Sequence, residues 1–239
     1  MSAPPQRHFH DELSDMKVRL LTMSGEAEAA LGLALEAYLE RSVEKAQQVI
    51  AGDQAIDALE IEIEEKCLSL LALQQPMAKD LRMLTAALKI SNDLERVGDH
   101  AVNIAESAIR LKDFRPITPE PELIEMGRVS REMLSDALEA FIRGDTTAAR
   151  EICLRDDQVD DLQHSAFRIM LTHMMEDPQT IGAGVQTFIV ARNLERVADL
   201  ATNIAEDVVF LVEGKSIKHH AEDRGDPLTP STEPTPSPS

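Results

Sequence analysis

Apolar residues recur along this chain at spacings of three and four, in runs far longer than a strand. From about Asp11, the side chains of Leu13, Met16, Leu20, Met23, Ala27 and Leu31 fall on one face, and the pattern continues through Leu35 and Leu39 to about Arg41. Residues 1–9, with two prolines, read as an arm ahead of this helix. Ser42, with Glu44 behind it, has the character of an N-cap and acidic first turn, opening a second helix to about Leu73 in which Gly52 is a tolerated weak point. Pro76 sits where proline is welcome, at the start of a third helix that runs to about Leu111.

Pro116, Pro119 and Pro121 are the clearest break, and the pattern then starts again. It predicts a helix from about Glu120 to Arg143, and then Gly144 with Asp145 as the cap of a helix reaching about Met175. Asp177-Pro178 introduces a last helix to about Val212, with Gly214 as its stop. Beyond Arg224 the chain is rich in Pro, Ser and Thr, and reads as a disordered tail.

The second half copies the first. At an offset of 100, residues 92–106 and 192–206 share 10 of 15 positions, from Leu94-Glu95-Arg96-Val97 and Asp99 through Asn103-Ile104-Ala105-Glu106. The middle helices align at an offset of 103, with Asp53, Ile56, Asp57 and Leu59 against Asp156, Val159, Asp160 and Leu162. The fold expected is therefore all-α, with six long helices forming two tandem, pseudo-symmetric antiparallel three-helix bundles.

Composition agrees. Aromatics are 3% with no Trp, so Leu, Ile, Val, Ala and Met must fill the core, which suits helix packing better than a sheet. The formal net charge of −19 argues against nucleic acid as the main partner, because phosphate binding needs clustered Lys and Arg. Cys67 and Cys153 lie far apart with no CxxC neighbour, so buried reduced thiols are expected rather than a zinc or redox motif. The start of the chain has no apolar signal region, and no run reaches the ~18–20 apolar residues of a membrane span. A soluble, cytoplasmic protein that meets a membrane only through partners is expected.

Candidate chemistry lies in the repeated stretch. At about 100° per residue, Glu95, Asp99, Asn103, Glu106 and Asn92 fall within one narrow stripe, while Val97, Ala101 and Ile104 lie near the opposite face. Glu195, Asp199, Asn203 and Glu206 repeat the stripe. On the middle helices, Asp53/Asp57 and Asp156/Asp160 are i, i+4 pairs. Like charges at that spacing cost about 0.2–0.5 kcal/mol each, so their repeated use calls for a compensating partner. Oxygen-only ligands from neighbouring helices suit a hard or borderline cation such as magnesium, manganese or iron. A plain solvated acidic face is the competing reading. The Glu-x-x-His signature of di-iron bundles is missing, and His100 lies off the stripe with Leu200 as its counterpart. Arg96 and Arg196 flank the stripes as partners for the carboxylates. No nucleophile–base pair and no Gly-rich phosphate loop stands out, so a non-enzymatic role is expected. An oxygen-ligand metalloenzyme on a helical bundle is the alternative. His219-His220 reads as a solvated end.

Three stretches carry a family likeness: Gln74-Gln75-Pro76 to Asp80-Leu81-Arg82, then 93–106 with its copy at 192–206, and the Ile56-Asp57 and Val159-Asp160 segments. Together they resemble the PhoU family, the cytoplasmic accessory and regulatory proteins of bacterial phosphate-specific transport. The resemblance runs from His8-Phe9 to about His219, implying one three-helix repeat over 8–113, a second over 120–220, and a tail over 224–239 outside it. It implies a homodimer and Glu/Asp-x-x-x-Asp motifs that bind iron, zinc or manganese. These map to Asp53/Asp57 and Glu95/Asp99, and to Asp156/Asp160 and Glu195/Asp199. It further implies a negative regulator of the phosphate-starvation response that contacts a sensor histidine kinase and the ATPase subunit of the phosphate ABC importer. Ala198 and Leu200 depart from the pattern, standing where the first copy has Gly98 and His100.

Overall fold

The computed structural model describes residues 5–74 and 76–217, with side chains from Phe9 onward. Gln75, His219, His220 and the segment over 224–239 lie outside the described residues. Among the described residues seven α-helices follow in chain order: α1 (Pro5–Glu40), α2 (Val43–Gln74), α3 (Ala78–Arg110), α4 (Pro121–Arg143), α5 (Thr146–Cys153), α6 (Asp156–Glu176) and α7 (Ile181–Glu213). Helices α1, α2 and α3 pack as one bundle, and α4, the α5–α6 pair and α7 as its repeat. The two bundles meet along α3 and α7, which run antiparallel: Arg82 reaches the Leu211 carbonyl, Lys89 meets Asp207, and His100 meets Asn193.

Two sequence expectations are corrected. Helix α1 begins at Pro5 instead of near Asp11, and Phe9, assigned to an arm, is buried in the core. The fixed φ of proline suits a first helical turn, and Phe9 gains burial by continuing the apolar face of Leu13 and Met16. The middle helix of the second bundle is not continuous. It breaks at Leu154-Arg155, where Leu154 and Arg155 donate to Glu151 and Ile152, three residues back. Leu154 is left exposed, and Arg155 reaches across to Asp136 and Glu132 of α4. The same positions in α2, Ala51 and Gly52, stay helical.

The caps follow the sequence more closely. Asp145 accepts from the Thr147 and Ala148 amides, and Ser42 Oγ accepts from Lys45 N. Gly144 closes α4 at φ 65°, a left-handed turn. Its counterpart Arg41 takes φ 54° with a side chain attached, and its guanidinium donates to the Leu111 and Phe114 carbonyls at the end of α3. Asp177 accepts from Gln179 N, but a 3₁₀ turn over Pro178–Thr180 precedes α7. Similarly, Pro76 precedes α3 without entering it.

The core matches the apolar stripes: Met16, Leu20, Met23, Ala27 and Leu31 of α1 are at most 1% exposed. Val97, Ala101 and Ile104 of α3 are fully buried, as are Val197, Ala201 and Ile204 of α7. The bundles are tied by the Tyr38–Thr187 hydroxyl pair at 2.8 Å and by Lys89–Asp207 at 3.0 Å. Cys67 and Cys153 are free thiols, and burial pushes each up to about 11. No helix among the described residues is long and apolar enough to cross a membrane.

Candidate metal centres on the two bundles

Helices α2 and α3 bring Asp53, Asp57, Glu60, Glu95 and Asp99 into one electrostatic neighbourhood. The approach depends on Gly98: a Cβ there would stand 2.9 Å from Asp53 Oδ1 and 3.1 Å from Ile56 Cδ1, tighter than real side chains sit. The missing methyl lets the Asp53 carboxylate lie against α3. Asp53 and Glu95 are half-buried, while Asp57 and Asp99 are exposed.

The consequence is charge stress. Glu95 is pushed up to about 7, by desolvation first and then by Asp99, Glu60, Asp57 and Asp53. Asp53 is raised by desolvation, Asp57 and Asp99. The charged groups that raise these two are all carboxylates. Arg96, one residue along α3, turns to the buried Asp93 at 3.6 Å.

The second cluster differs. Asp156 is pushed up to about 6 by desolvation, Asp199, Asp160 and Asp157. Desolvation likewise raises Glu195 and Asp199, against the pull of Arg196. That guanidinium lies 2.9 Å from Asp199 Oδ2 and 3.4 Å from Glu195 Oε2. Ala198 is buried where the first bundle has Gly98, and Asp156 sits in the first turn of α6, directly after the helix break.

Asp53, Asp57, Glu95 and Asp99 thus influence one another electrostatically on the first bundle, as do Asp156, Asp160, Glu195 and Asp199 on the second. Among the described residues, however, no three His, Cys, Asp or Glu side chains converge as a ready ligand set for one ion. Asn103 is exposed and lines a groove between α3 and α7, together with His100, Arg192 and Arg196. Asn203 is half-buried, one turn beyond Asp199.

His100 is more than an incidental histidine. Its Nδ1 lies 2.9 Å from Asn193 Oδ1, and Asn193 Nδ2 donates to the Ile189 carbonyl at 2.7 Å. Asn193 therefore presents its oxygen, and His100 donates. Burial pulls the imidazole below its ordinary value despite that bond, favouring the neutral form. Sequence reasoning missed this bridge. The only signal was a pair of non-matching positions in the repeat, His100 against Leu200 and Asn193 against Asp93.

Comparison with known proteins adds a consistent set of relatives. The PhoU domain family matches residues 20–108 and again 123–208. A phosphate-specific transport system accessory protein PhoU homolog of Aquifex aeolicus is 41% identical over 216 residues, 90% of this chain and 98% of that protein. The Caulobacter vibrioides protein of the same name is 41% identical over 212 residues, covering 88% and 92%. Crystal structures of PhoU from Pseudomonas aeruginosa (TM-score 0.84, 37% identity, 87% of this chain and 100% of that one) and of the phosphate transport system regulatory protein PhoU from Streptococcus pneumoniae (TM-score 0.80, 32% identity, 87% and 98%) share the architecture.

Proposed function

This chain belongs to the PhoU family, and from that premise we propose that it is an accessory protein of phosphate-specific transport. In this reading it is a cytoplasmic, metal-binding and non-catalytic adaptor that holds down the phosphate-starvation response. The observation that carries the transport role is the near full-length match to relatives of that name. The finer role, as a homodimer contacting a sensor histidine kinase and the ATPase of the phosphate ABC importer, follows from the family resemblance.

The metal reading is supported by donor chemistry and charge. Asp53, Asp57, Glu95 and Asp99 would hold the ion on the first bundle, and Asp156, Asp160, Glu195 and Asp199 on the second. An all-oxygen set suits manganese, iron or magnesium, with zinc also compatible with carboxylates. The half-buried members sit against the helices, and rotation of the exposed Asp57 and Asp99 side chains would close the first set. A bound cation would supply the charge that this cluster lacks. On the second bundle Arg196 already supplies part of it, so the first cluster is the tighter site.

A reporter of phosphate-starvation gene expression in a deletion strain tests the regulatory role. Constitutive expression at high phosphate, reversed by the wild-type chain, is the expected result. Unchanged repression without the protein would refute it.

A further inference from the structure

Helix α7 carries a second feature that neither cluster uses. Ile181, Val185, Phe188, Arg192 and Arg196 follow one another at spacings of four, three, four and four, so they form a single stripe about 22 Å long. The first three are 45%, 44% and 39% exposed, and both arginines are exposed. The stripe is apolar at one end and cationic at the other.

Each half is bordered by a neighbouring helix that matches it. Beside the apolar half, α6 contributes Phe167 and Leu171, 47% and 46% exposed, with the Phe167 and Phe188 rings 5.3 Å apart. These side chains, with Met170 and Met174 beneath, form a wholly apolar slot of ≈ 170 Å³. Gly184 makes the seat, since a Cβ there would meet Met174 Cε at 2.3 Å. Beside the cationic half, α3 contributes His100 and Asn103 to a groove of ≈ 340 Å³. Phe188 lines both, so slot and groove lie side by side along α7. The first bundle has no such surface: Glu64, Leu88 and Asn92 stand where the second has Phe167, Phe188 and Arg192.

We propose that this stripe is the docking site for an acidic amphipathic helix of a partner protein, its apolar side chains in the slot at Phe188 and a carboxylate on the exposed Arg192. An exposed arginine beside a wholly apolar slot selects for that combination locally, against the net charge of −19 of the whole chain. Nucleic acid is disfavoured because a phosphate backbone needs clustered cations, and of the two arginines here Arg196 is already paired with Glu195 and Asp199. A second copy fits poorly, because a twofold axis through Phe188 lays each apolar half on the other's arginines. The inference takes from the adaptor reading only that a protein partner exists.

Synthetic helical peptides of about 16 residues test it by fluorescence anisotropy on the full chain. One carries leucines at i, i+4 and i+7 and glutamates at i+11 and i+15, a second reverses that order, and a third has lysines for glutamates. One glutamate peptide is expected to bind. Phe188→Asp weakens it about tenfold or more, and Arg192→Glu weakens it about tenfold while improving the lysine peptide. Both positions are exposed, helical circular dichroism confirms each variant, and Leu171→Glu can replace either. The proposal is overturned if neither glutamate peptide binds below about 1 mM, if Phe188→Asp binds unchanged, or if the lysine peptide binds the wild type equally. It also falls if sedimentation shows a dimer that Phe188→Asp splits, which would assign the face to a second copy. A silent reporter in the deletion strain would remove the adaptor reading and leave the peptide result standing.

Discussion

Burial first, and then the nearby Asp99, Glu60, Asp57 and Asp53, make Glu95 hold its proton up to about pH 7. Between its ordinary value near 4.5 and about 7, the folded chain binds more proton than the unfolded chain. Stability from this group is therefore present at low pH and is lost as pH rises through about 7. A cation on the cluster removes the repulsion. The melting-temperature gain from added manganese should be larger at pH 8 than at pH 5.5, and Glu95→Gln should shrink that difference; equal gains at both pH values would count against the cluster as the binding site. Gly98→Ala should keep the fold, because the atom it meets is the movable end of Asp53. Metal titration of that variant should show a weakened first site and an unchanged second one. The chain spacing made Asp53, Asp57, Glu95 and Asp99 readable as neighbours, since helical period alone sets each pair. The role of Gly98 was not readable, because it depends on how closely α2 approaches.

At the scale of elements, the break between α5 and α6 separates two otherwise matched middle helices. Its i→i−3 bonds and exposed Leu154 mark a locally weak segment. Amides over 154–158 should exchange faster with deuterium than those over 51–55 in α2, and equal protection would show a continuous helix in solution. The one hint in the sequence was Asp156-Asp157, a pair suited to a helix first turn. Periodicity carries through a break of this size, which is why it stayed hidden. The α3–α7 seam was equally hidden, because pairing between distant helices leaves no local pattern. There, Asp207 is 2% exposed and Lys89 is its cation, where the first repeat has a buried Ser107. Lys89→Ala should destabilise the chain in urea melts by about 1 kcal/mol or more, since it removes a cation from a buried carboxylate, whereas Asp207→Ser should cost less because Lys89 can rehydrate. The reverse order would mean that the pair contributes through packing alone.

For the whole molecule, the duplication that was legible in the chain sets the architecture: two bundles, each presenting one acidic cluster flanked by an arginine on α3 or α7. The arginines have diverged in use, with Arg96 given to Asp93 and Arg196 given to Asp199 and Glu195. Symmetric sequence has produced unequal sites. In the proposed function both clusters hold cations, the first more tightly than the second. Elemental analysis of protein purified without added metal, after limited chelation, tests this most directly. The wild type should retain manganese, iron or zinc, Glu95→Ala with Asp99→Ala should lose most of it, and Glu195→Ala with Asp199→Ala should lose little. Equal metal content in all three proteins would contradict the account and leave the stripes as solvated surface.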